Sequence, residues 1–454
     1  MRRSAADHQE AVRALLAGAW NVSKFDDDGP RLPLIQALGR VLSHDVHAPL
    51  SLPPFGNSQM DGYAVNASDL AEGAELVVAP TIPAGAVPAP LARGTAAPIM
   101  TGAMLPDGAD AVVPIERAVP ATFPDSAGHG TTVALPATVA GSFVRAAGSD
   151  VQAGGLALAA GTRLSPAHLG LAAALGLTEL QVRRRPRVLL VATGDEVVLP
   201  GTALPPGKIF DANSMLLHAN LLEAGAEVEL AALVPDDPAT LREVFRHAAT
   251  GGGIDLILTT GGISAGAFEV VKQSLAGAEV EFCSVAMQPG GPQGLGTVEG
   301  LPFLGFPGNP VSGVVSFEMF LRPALSALLG SPRPRTRIWA RLDTDLTSPA
   351  GKHQIRRGVV QLDPAGTVLR PAGARKRSRA EKLSGVEGPG AESQAGIEAG
   401  ALRHGDPTVL TTVTPVGGSS SHLLGSLAAS NAMIHLPADA VELIAGAEVE
   451  VWLL

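Results

Sequence analysis

The stretch Asp255–Lys272, DLILTTGGISAGAFEVVK, indicates the fold of the central part of this chain. It begins with a short apolar run, which predicts a buried strand. Gly261 and Gly262 follow and let the backbone approach a ligand without a Cβ in the way. A helical pattern starts near Phe268. A strand, a glycine turn and a helix start together favour an anion site, although one such turn alone is more often structural.

Three other apolar runs near this stretch also end in polar or glycine-bearing turns. The runs are Val188–Ala192, Val228–Val234 and Phe303–Phe306, and the helical patterns between them are Ser214–Ala224, Pro238–Ala249, Glu269–Leu275 and Pro310–Leu329. This alternation predicts a three-layer α/β domain with a parallel-type sheet. Because the carboxyl ends of parallel strands meet at one edge of a sheet, we expect the four turns to form one ligand site.

The remainder of the chain predicts smaller domains, so the fold class is α/β and β multidomain. The predicted domains are an elongated helical or extended N-terminal domain (1–46 with 143–185), a small β domain (47–142), the α/β domain (186–330) and a C-terminal β domain (331–454). Helices are predicted over Asp7–Ala19 and over Ser165–Leu175, where Ser165 is the N-cap and Pro166 the first helical residue. The stretch 373–403, rich in Gly, Ala, Ser and charge, predicts an exposed insertion.

Composition argues against several classes of protein. The net charge of −10 over 454 residues provides no basic field for nucleic acid. A single cysteine, Cys283, excludes an intramolecular disulfide framework and a cysteine-based zinc site, and a small buried core residue is its preferred interpretation. We find no apolar run that approaches the length of a membrane span, and no apolar core of a signal peptide. A cytoplasmic protein without nucleic-acid or membrane partners is therefore expected.

Five acidic residues follow or flank the strand ends of the α/β domain. They are Asp195, Glu196, Asp236, Asp237 and Glu269. One interpretation is helix capping and turn formation, which applies above all to Asp237 before Pro238. The other is an oxygen-ligand site for Mg²⁺, which binds a few carboxylates together with substrate phosphate and water. The sequence contains no P-loop, no dinucleotide-binding glycine motif and no nucleophile elbow.

Five motifs occur together in a characteristic order and spacing. They are NSQMDGYAV (57–65), IMTGA (99–103), TGDE (193–196), TGGISAG (260–266) and PGNPVS (307–312). Over nearly its whole length the chain resembles the molybdopterin molybdenumtransferase (MoeA) family, which includes the E domain of gephyrin. The resemblance implies a molybdopterin-binding fold and a homodimer whose active site is shared between subunits. It also implies an enzyme that inserts molybdate into adenylylated molybdopterin, with Mg²⁺ and release of AMP.

The same resemblance implies roles for individual residues. Asp61, Glu196, Asp237 and Glu269 would be catalytic, and Glu196 and Glu269 would bind the metal. Asp61 and Thr101 would come from the partner subunit. The implied substrate-binding residues are Thr101, Asp150, Gly261, Gly262, Ser264, Gln288, Pro307, Pro310 and Ser421. The sequence leaves open which carboxylate orients the attacking group.

Two departures from the family pattern concern the charge of one loop and the length of one acidic side chain. The stretch 288–292 is QPGGP where the family often has KPGKP, and Glu269 stands where the family usually has Asp. Loss of two lysines should weaken electrostatic binding of an oxyanion. The loss favours the alternative of a non-catalytic or weakly active paralogue that acts as a dimeric cofactor-binding scaffold, whereas the retained carboxylates argue against that alternative.

A second alternative is an enzyme that shares only the α/β domain. Molybdopterin adenylyltransferases and competence-damage-type amidohydrolases are of this kind. The motif NSQMDGYAV and the β domain around it argue against this alternative, because those proteins lack both. The adenylyltransferase is instead an expected partner enzyme.

Overall fold

The computed structural model describes residues 2–124, 131–231, 234–263, 269–361 and 411–454, and the backbone of 370–371. The predicted insertion at 373–403 and the predicted binding residue Ser264 lie outside the described residues. The chain forms two compact units, Met1–Phe25 with Arg184–Leu454, and Asp26–Arg183.

The first unit contains a six-stranded sheet. Its strands, in spatial order, are Glu227–Leu230, Arg187–Ala192, Leu256–Thr260, Leu301–Phe306, Pro292–Val298 and Glu279–Ser284. The first four are parallel and the last two are antiparallel to their neighbours. Every residue of Leu256–Thr260 is buried, as expected for a strand covered on both faces. The predicted parallel-type sheet is confirmed, although the predicted strand Val228–Val234 is shorter in the structure.

Helices cover both faces of this sheet. The helices of the described chain are Ala5–Ala19, Val22–Asp27, Pro166–Ala174, Asn213–Glu223, Pro238–Gly251, Val270–Ser274, Pro310–Ser316, Arg322–Leu329 and Leu424–Ala428. Successive residues of a strand point to opposite faces. Accordingly, Val188 and Leu190 pack in one apolar cluster with Leu217, while Leu189 and Val191 pack in another with Phe245. Two cores on one sheet confirm the predicted three-layer α/β domain.

The predicted helix Pro310–Leu329 is continuous but irregular. A π-helical turn, Phe317–Leu321, joins Pro310–Ser316 to Arg322–Leu329. Its 20 residues are long and apolar enough to cross a membrane, so the expectation that no apolar run reaches that length is wrong here. However, 78% of this segment's most apolar window is buried inside the protein, which is the environment of a core helix.

The N-terminal helix belongs to a different core from the one that the sequence suggested. Asp7–Ala19 is helical as predicted, within Ala5–Ala19. Its residues Val12 and Leu16, with Trp20 beyond its end, are buried in the core of the α/β domain, and Trp20 Nε1 donates to the carbonyl of Asp255 at 2.9 Å. Residues 1–25 therefore join the α/β unit rather than residues 26–46.

The C-terminal part of the first unit is a seven-stranded sheet. Its strands are Met287–Gln288, Arg337–Leu342, His353–Gln361, Arg370–Pro371, Thr412–Pro415, Ala432–Leu436 and Glu448–Leu453. Two shorter pairs, Val197–Val198 with Ile209–Phe210 and Leu346–Thr347 with Glu442–Leu443, complete the unit. The predicted C-terminal β structure is confirmed. Since Met287 pairs with His353, this sheet continues directly from the α/β domain.

The second unit, Asp26–Arg183, is mostly β. Its main sheet has the order Ala111–Pro114, Gly62–Val65, Thr95–Ile99, Ala74–Val78 and Thr132–Leu135, as expected for the predicted small β domain. Three short pairs accompany it: Arg31–Pro33 with Glu179–Gln181, Val46–His47 with Leu156–Leu158, and Asn57–Ser58 with Val144–Arg145. Helix Pro166–Ala174 begins after Ser165, as predicted. The exact domain boundaries stay a prediction.

Candidate active site

The glycine turns of two neighbouring strands pack directly against each other. Gly261 and Gly262 have φ values of +92° and +64°, which glycine adopts readily and other residues do not. The Gly261 amide donates to the Phe306 carbonyl at 3.1 Å. A Cβ on Gly308 would lie 3.2 Å from the Gly261 Cα. The turns thus meet backbone to backbone at the carboxyl edge of the sheet, where the sequence predicts a ligand site.

A cavity of about 610 Å³ opens beside these turns, and we call it the acidic cavity. Gly261, Gly262 and Pro310 contribute to its wall, as predicted. Its acidic lining residues are Glu196, Asp211, Asp236 and Glu269. Within the part of the chain that the structure describes, no Lys or Arg lines it. The acidic cavity is therefore suited to cations, or to ligands that carry one.

Asp195 and Asp236 form a reciprocal pair, in which the backbone amide of each donates to the carboxylate of the other. The Asp195 amide donates to Asp236 Oδ2 at 3.3 Å, and the Asp236 amide donates to Asp195 Oδ1 at 3.1 Å. Burial raises the pKa of Asp236, and the negative charges of Asp195, Glu196 and Glu269 raise this pKa further, against the lowering effect of the Asp195 amide. The Asp236 carboxylate thus lies close enough to three other carboxylates to be repelled by them.

Asp237 has a different environment from Asp236. It is the N-cap of helix Pro238–Gly251, and its Oδ2 accepts from the Thr240 amide at 2.8 Å and from the Thr240 hydroxyl at 2.6 Å. These hydrogen bonds, the hydroxyl's first, lower the pKa of Asp237. The structure does not bring Asp237 into the lining of the acidic cavity, where Asp236 lies instead.

Glu196 and Glu269, the predicted metal ligands, both line the acidic cavity. The Glu196 carboxylate folds back over its own turn, since a Cβ on Gly194 would lie 2.8 Å from Glu196 Oε2. Among the described residues, no three His, Cys, Asp or Glu side chains are grouped closely enough to hold a metal ion by themselves. A metal bound by the described side chains of this edge would need further ligands, such as substrate or water.

A second cavity, of about 470 Å³, adjoins the first, and we call it the basic cavity. Gly308, Asn309 and His422 line both cavities. The predicted binding residues Gln288, Pro307 and Ser421 lie in the wall of the basic cavity. Its lining contains the cations Arg2 and Lys352 and, over the described ranges, no Asp or Glu. The two cavities are thus neighbours with opposite charge.

Hydrogen bonds hold the wall that the two cavities share. Asn213 Nδ2 donates to the Gly308 carbonyl at 2.6 Å. The Val311 amide, in the first turn of its helix, donates to the Ser421 carbonyl at 3.1 Å, which ties the C-terminal part of the unit to the α/β domain. Thr193 Oγ1, beside the acidic cavity, is buried and has no hydrogen-bond partner within the described residues. The described chain thus leaves this buried hydroxyl without a partner.

The other predicted site residues lie in the second unit. The amide and the hydroxyl of Thr101 both donate to Asp61 Oδ1 at 2.7 Å, so the structure brings these two residues together. The hydroxyl and then the amide of Thr101 lower the pKa of Asp61. Asp150 is exposed, and its amide donates to the Leu52 carbonyl at 3.0 Å. Both carboxylates are accessible to a ligand within their own unit.

Comparison with known proteins agrees with the sequence motifs. Family models match in three places: the MoeA N-terminal region (domain I and II) over residues 6–176, a probable molybdopterin binding domain over 189–327, and the MoeA C-terminal region (domain IV) over 400–454. Molybdopterin molybdenumtransferase 2 of Mycobacterium tuberculosis is 40% identical over 99% of both chains.

The chain belongs to the molybdopterin molybdenumtransferase family. A second family member, molybdopterin molybdenumtransferase of Haemophilus influenzae, is 33% identical over 74% of this chain and 82% of its own. The crystal structure of the molybdopterin biosynthesis MoeA protein from Pyrococcus horikosii is similar in fold, with a TM-score of 0.73 and 27% identity over 100% of this chain and 99% of its own. The predicted family, its transferase class and its fold are confirmed.

Proposed function

We propose that this protein inserts molybdate into adenylylated molybdopterin, with cleavage of the phosphoanhydride and release of AMP. Family membership supports the reaction class. The observation that carries the proposal for this chain is the pair of oppositely charged cavities that share Gly308, Asn309 and His422. A substrate with a phosphoanhydride at one end and a dithiolene that accepts an oxyanion at the other requires two such environments side by side.

The acidic cavity fits Mg²⁺ together with phosphate. Mg²⁺ commonly binds one or two carboxylates and takes its remaining ligands from substrate phosphates and water. The absence of a three-residue ligand group in the described chain agrees with this mode. Glu196 and Glu269 are the residues that would hold the ion. Burial, and after it the negative charge of Asp195, Glu196 and Glu269, raises the pKa of Asp236, and a cation would offset that charge. When bound, Mg²⁺ neutralises charge on the phosphates.

The chain's own groups bind and orient the substrate. Gly261 and Gly262 lack a Cβ, so a phosphate can approach the backbone at the strand end. In the basic cavity, Ser421 and Gln288 supply neutral donors for molybdate oxygens. A carboxylate of the acidic cavity orients the attacking oxygen, and reactants held in this way have less entropy to lose in the transition state.

The proposal also covers the oligomeric state, the subcellular location and the partner enzyme of this protein. The protein acts as a homodimer in which Asp61 and Thr101 complete the site from a second copy of the chain. It is cytoplasmic, in keeping with its single cysteine. A molybdopterin adenylyltransferase supplies its adenylylated substrate. Analytical ultracentrifugation, and mixing of inactive Asp61→Ala and Glu196→Ala subunits to recover activity, test the shared site directly.

The test of the activity is incubation with adenylylated molybdopterin, molybdate and Mg²⁺, with measurement of AMP and of active cofactor. Glu196→Ala and Asp61→Ala should each abolish AMP release while the dimer stays intact. Glu243→Ala, which removes an exposed carboxylate paired with Arg246, is the matched control and should keep full activity. Unchanged turnover in both site variants would contradict the assignment.

The missing lysines at Gln288 and Gly291 favour one other function, that of a dimeric cofactor-binding scaffold. The same incubation separates the two functions. A scaffold would bind adenylylated molybdopterin without releasing AMP from it. An active transferase would release AMP only when molybdate is present.

A further inference from the structure

We propose that Arg2 and Lys352 supply the positive charge that binds the oxyanion substrate in the basic cavity, so that the N-terminal segment is part of the site. The inference rests on the proposed function for the identity of the oxyanion, molybdate. It assigns to two residues outside all five sequence motifs the charge that positions 288 and 291 lack. Arg2 and Lys352 are the only cationic lining residues of the basic cavity over the described ranges, apart from His422 when it is protonated.

Arg2 reaches the basic cavity because backbone hydrogen bonds attach its segment to the α/β domain. The Arg3 amide donates to the Ser284 carbonyl at 3.2 Å, and the Ala286 amide donates to the Arg3 carbonyl at 2.8 Å. The Arg3 side chain pairs with Glu281 at 2.6 Å. Because neighbouring residues of an extended segment point to opposite sides, this anchoring leaves Arg2 facing the basic cavity, which it lines.

Lys352 is placed by strand pairing of the same kind. The His353 amide donates to the Ala286 carbonyl at 2.9 Å, beside the pairing of Met287 with His353. The side chain of His353 contacts His435, with 3.3 Å between Nε2 and Nδ1. Lys352, one residue earlier, is half-buried in the wall of the basic cavity. Ala286 therefore anchors both cationic segments through its amide and its carbonyl.

Among the residues that the structure describes, neither cation, Arg2 or Lys352, is paired with a carboxylate. Another part of the lining, Ser419–Ser421, is held by buried Arg357, whose guanidinium donates to the carbonyls of Gly418 and Ser420. The basic cavity thus combines two cations with a turn of three serine hydroxyl groups. This set of donors suits a tetrahedral oxyanion, since charged donors bind oxyanions more strongly than neutral ones.

The test is direct binding of molybdate alone to the full-length protein, measured by isothermal titration calorimetry at low and at high salt. Arg2→Gln and Lys352→Gln should each raise the dissociation constant roughly 10-fold, and the double variant should raise it further. The salt dependence of binding should become weaker in each variant. Arg13→Gln and Lys24→Gln remove exposed cations of the same N-terminal region and should leave binding unchanged.

A rescue variant separates charge from a loss of folding. Gln288→Lys places a cation in the wall of the same cavity, and in the Lys352→Gln background it should restore binding. Equal molybdate affinity in the wild type and the double variant would overturn the proposal, as would a wild type that does not bind molybdate. AMP release is a separate measurement: its absence from a wild type whose molybdate binding depends on Arg2 and Lys352 would overturn the proposed function and leave this inference standing.

Discussion

The acidic and the basic cavity share part of their lining but differ in charge and in origin. Gly308, Asn309 and His422 line both. The acidic cavity has four carboxylates, whereas the basic cavity has two cations. A single cavity of either sign would repel either the metal or the oxyanion at close range. Under the proposed function, this difference in charge would let one sheet edge bind both ends of the substrate.

Among the variants that alter one cavity and not the other, Glu196→Gln should have the largest effect on activity. Loss of this carboxylate should lower turnover by roughly 10²–10³-fold, because removal of one preorganised electrostatic group in an active site has effects of this size. The dissociation constant for molybdate should not change, since Glu196 does not line the basic cavity. Glu243→Gln is the control. Wild-type turnover in Glu196→Gln would show that the acidic cavity takes no part in the reaction.

Substitution of a turn glycine tests the acidic cavity without altering the basic cavity. Gly262 has φ +64°, and a Cβ there would lie 2.8 Å from Val271 Cγ2. We expect Gly262→Ala to lower the free energy of unfolding by about 2–3 kcal/mol, from left-handed backbone strain together with overpacking. Gly207→Ala, with φ +78° and no atom within 4 Å of the new Cβ, isolates the backbone strain and should cost only about 1 kcal/mol.

Urea unfolding measures the stability of both glycine variants. Molybdate binding should survive in Gly262→Ala, because Gly262 lines only the acidic cavity. Equal destabilisation by the two substitutions would show that the contact with Val271 is not restrictive. Loss of molybdate binding in folded Gly262→Ala would show that the two cavities are not independent.

The neighbours Asp236 and Asp237 should respond oppositely to neutralisation. The pKa of Asp236 is raised above its ordinary 3.8, so its stabilising contribution is complete below pH 3.8 and is lost as pH rises through the raised pKa. Asp236→Asn should therefore raise the melting temperature at neutral pH, and the gain should vanish in acid. Added Mg²⁺ should stabilise the wild type more than this variant.

The pKa of Asp237 is lowered from 3.8, so its contribution is present above pH 3.8 and is lost as pH falls through the lowered value. Asp237→Asn should slightly lower the melting temperature at neutral pH, with a difference that closes in acid. Thermal unfolding across this pH range measures both variants. Shifts of the same sign in the two would contradict the assignment of one carboxylate to the cavity and the other to the helix cap.

His353 and His435 form a pair in the C-terminal sheet, in which His435 is buried and His353 is half-buried. His435 stacks on Trp452 with 4.1 Å between ring centroids, and burial, followed by the nearby charges of His353 and Arg337, lowers the pKa of His435 well below 6.5. Its contribution to stability is thus complete above pH 6.5 and is lost as pH falls. His435→Phe should flatten the acid side of the stability profile, while His247→Gln, at an exposed site, should leave it unchanged. An unaltered profile in His435→Phe would exclude this source of acid sensitivity.

The sequence predicts the acidic cavity well because local patterns encode it. Each glycine or acidic turn directly follows an apolar run, and the edge rule for parallel sheets then places the turns together. The choice between Asp236 and Asp237 is not predictable, since both precede Pro238 and one residue of register decides which side chain meets Thr240. The N-terminal helix shows the same limit: its apolar face predicts a helix, but not the core in which Leu16 packs.

The basic cavity is less predictable because distant segments build it. Motif order indicates Gln288, Pro307 and Ser421, and the structure brings these three together. Arg2 and Lys352 arrive only through the pairing of their segments with Ser284–Met287, for which the local sequence carries no pattern. The QPGGP stretch by itself indicates a loss of positive charge. In the folded chain, Arg2 and Lys352 bring two cations into the same cavity.

The most direct test of the two-cavity account is a crossed titration of Lys352→Gln and Glu196→Gln against molybdate and against Mg²⁺. The account predicts that Lys352→Gln raises the molybdate concentration needed for half-maximal AMP release and leaves the Mg²⁺ requirement unchanged. Residual turnover of Glu196→Gln should show the reverse pattern. If each substitution shifts both requirements equally, or if their effects are exchanged, the separation of cation and oxyanion between the two cavities is contradicted.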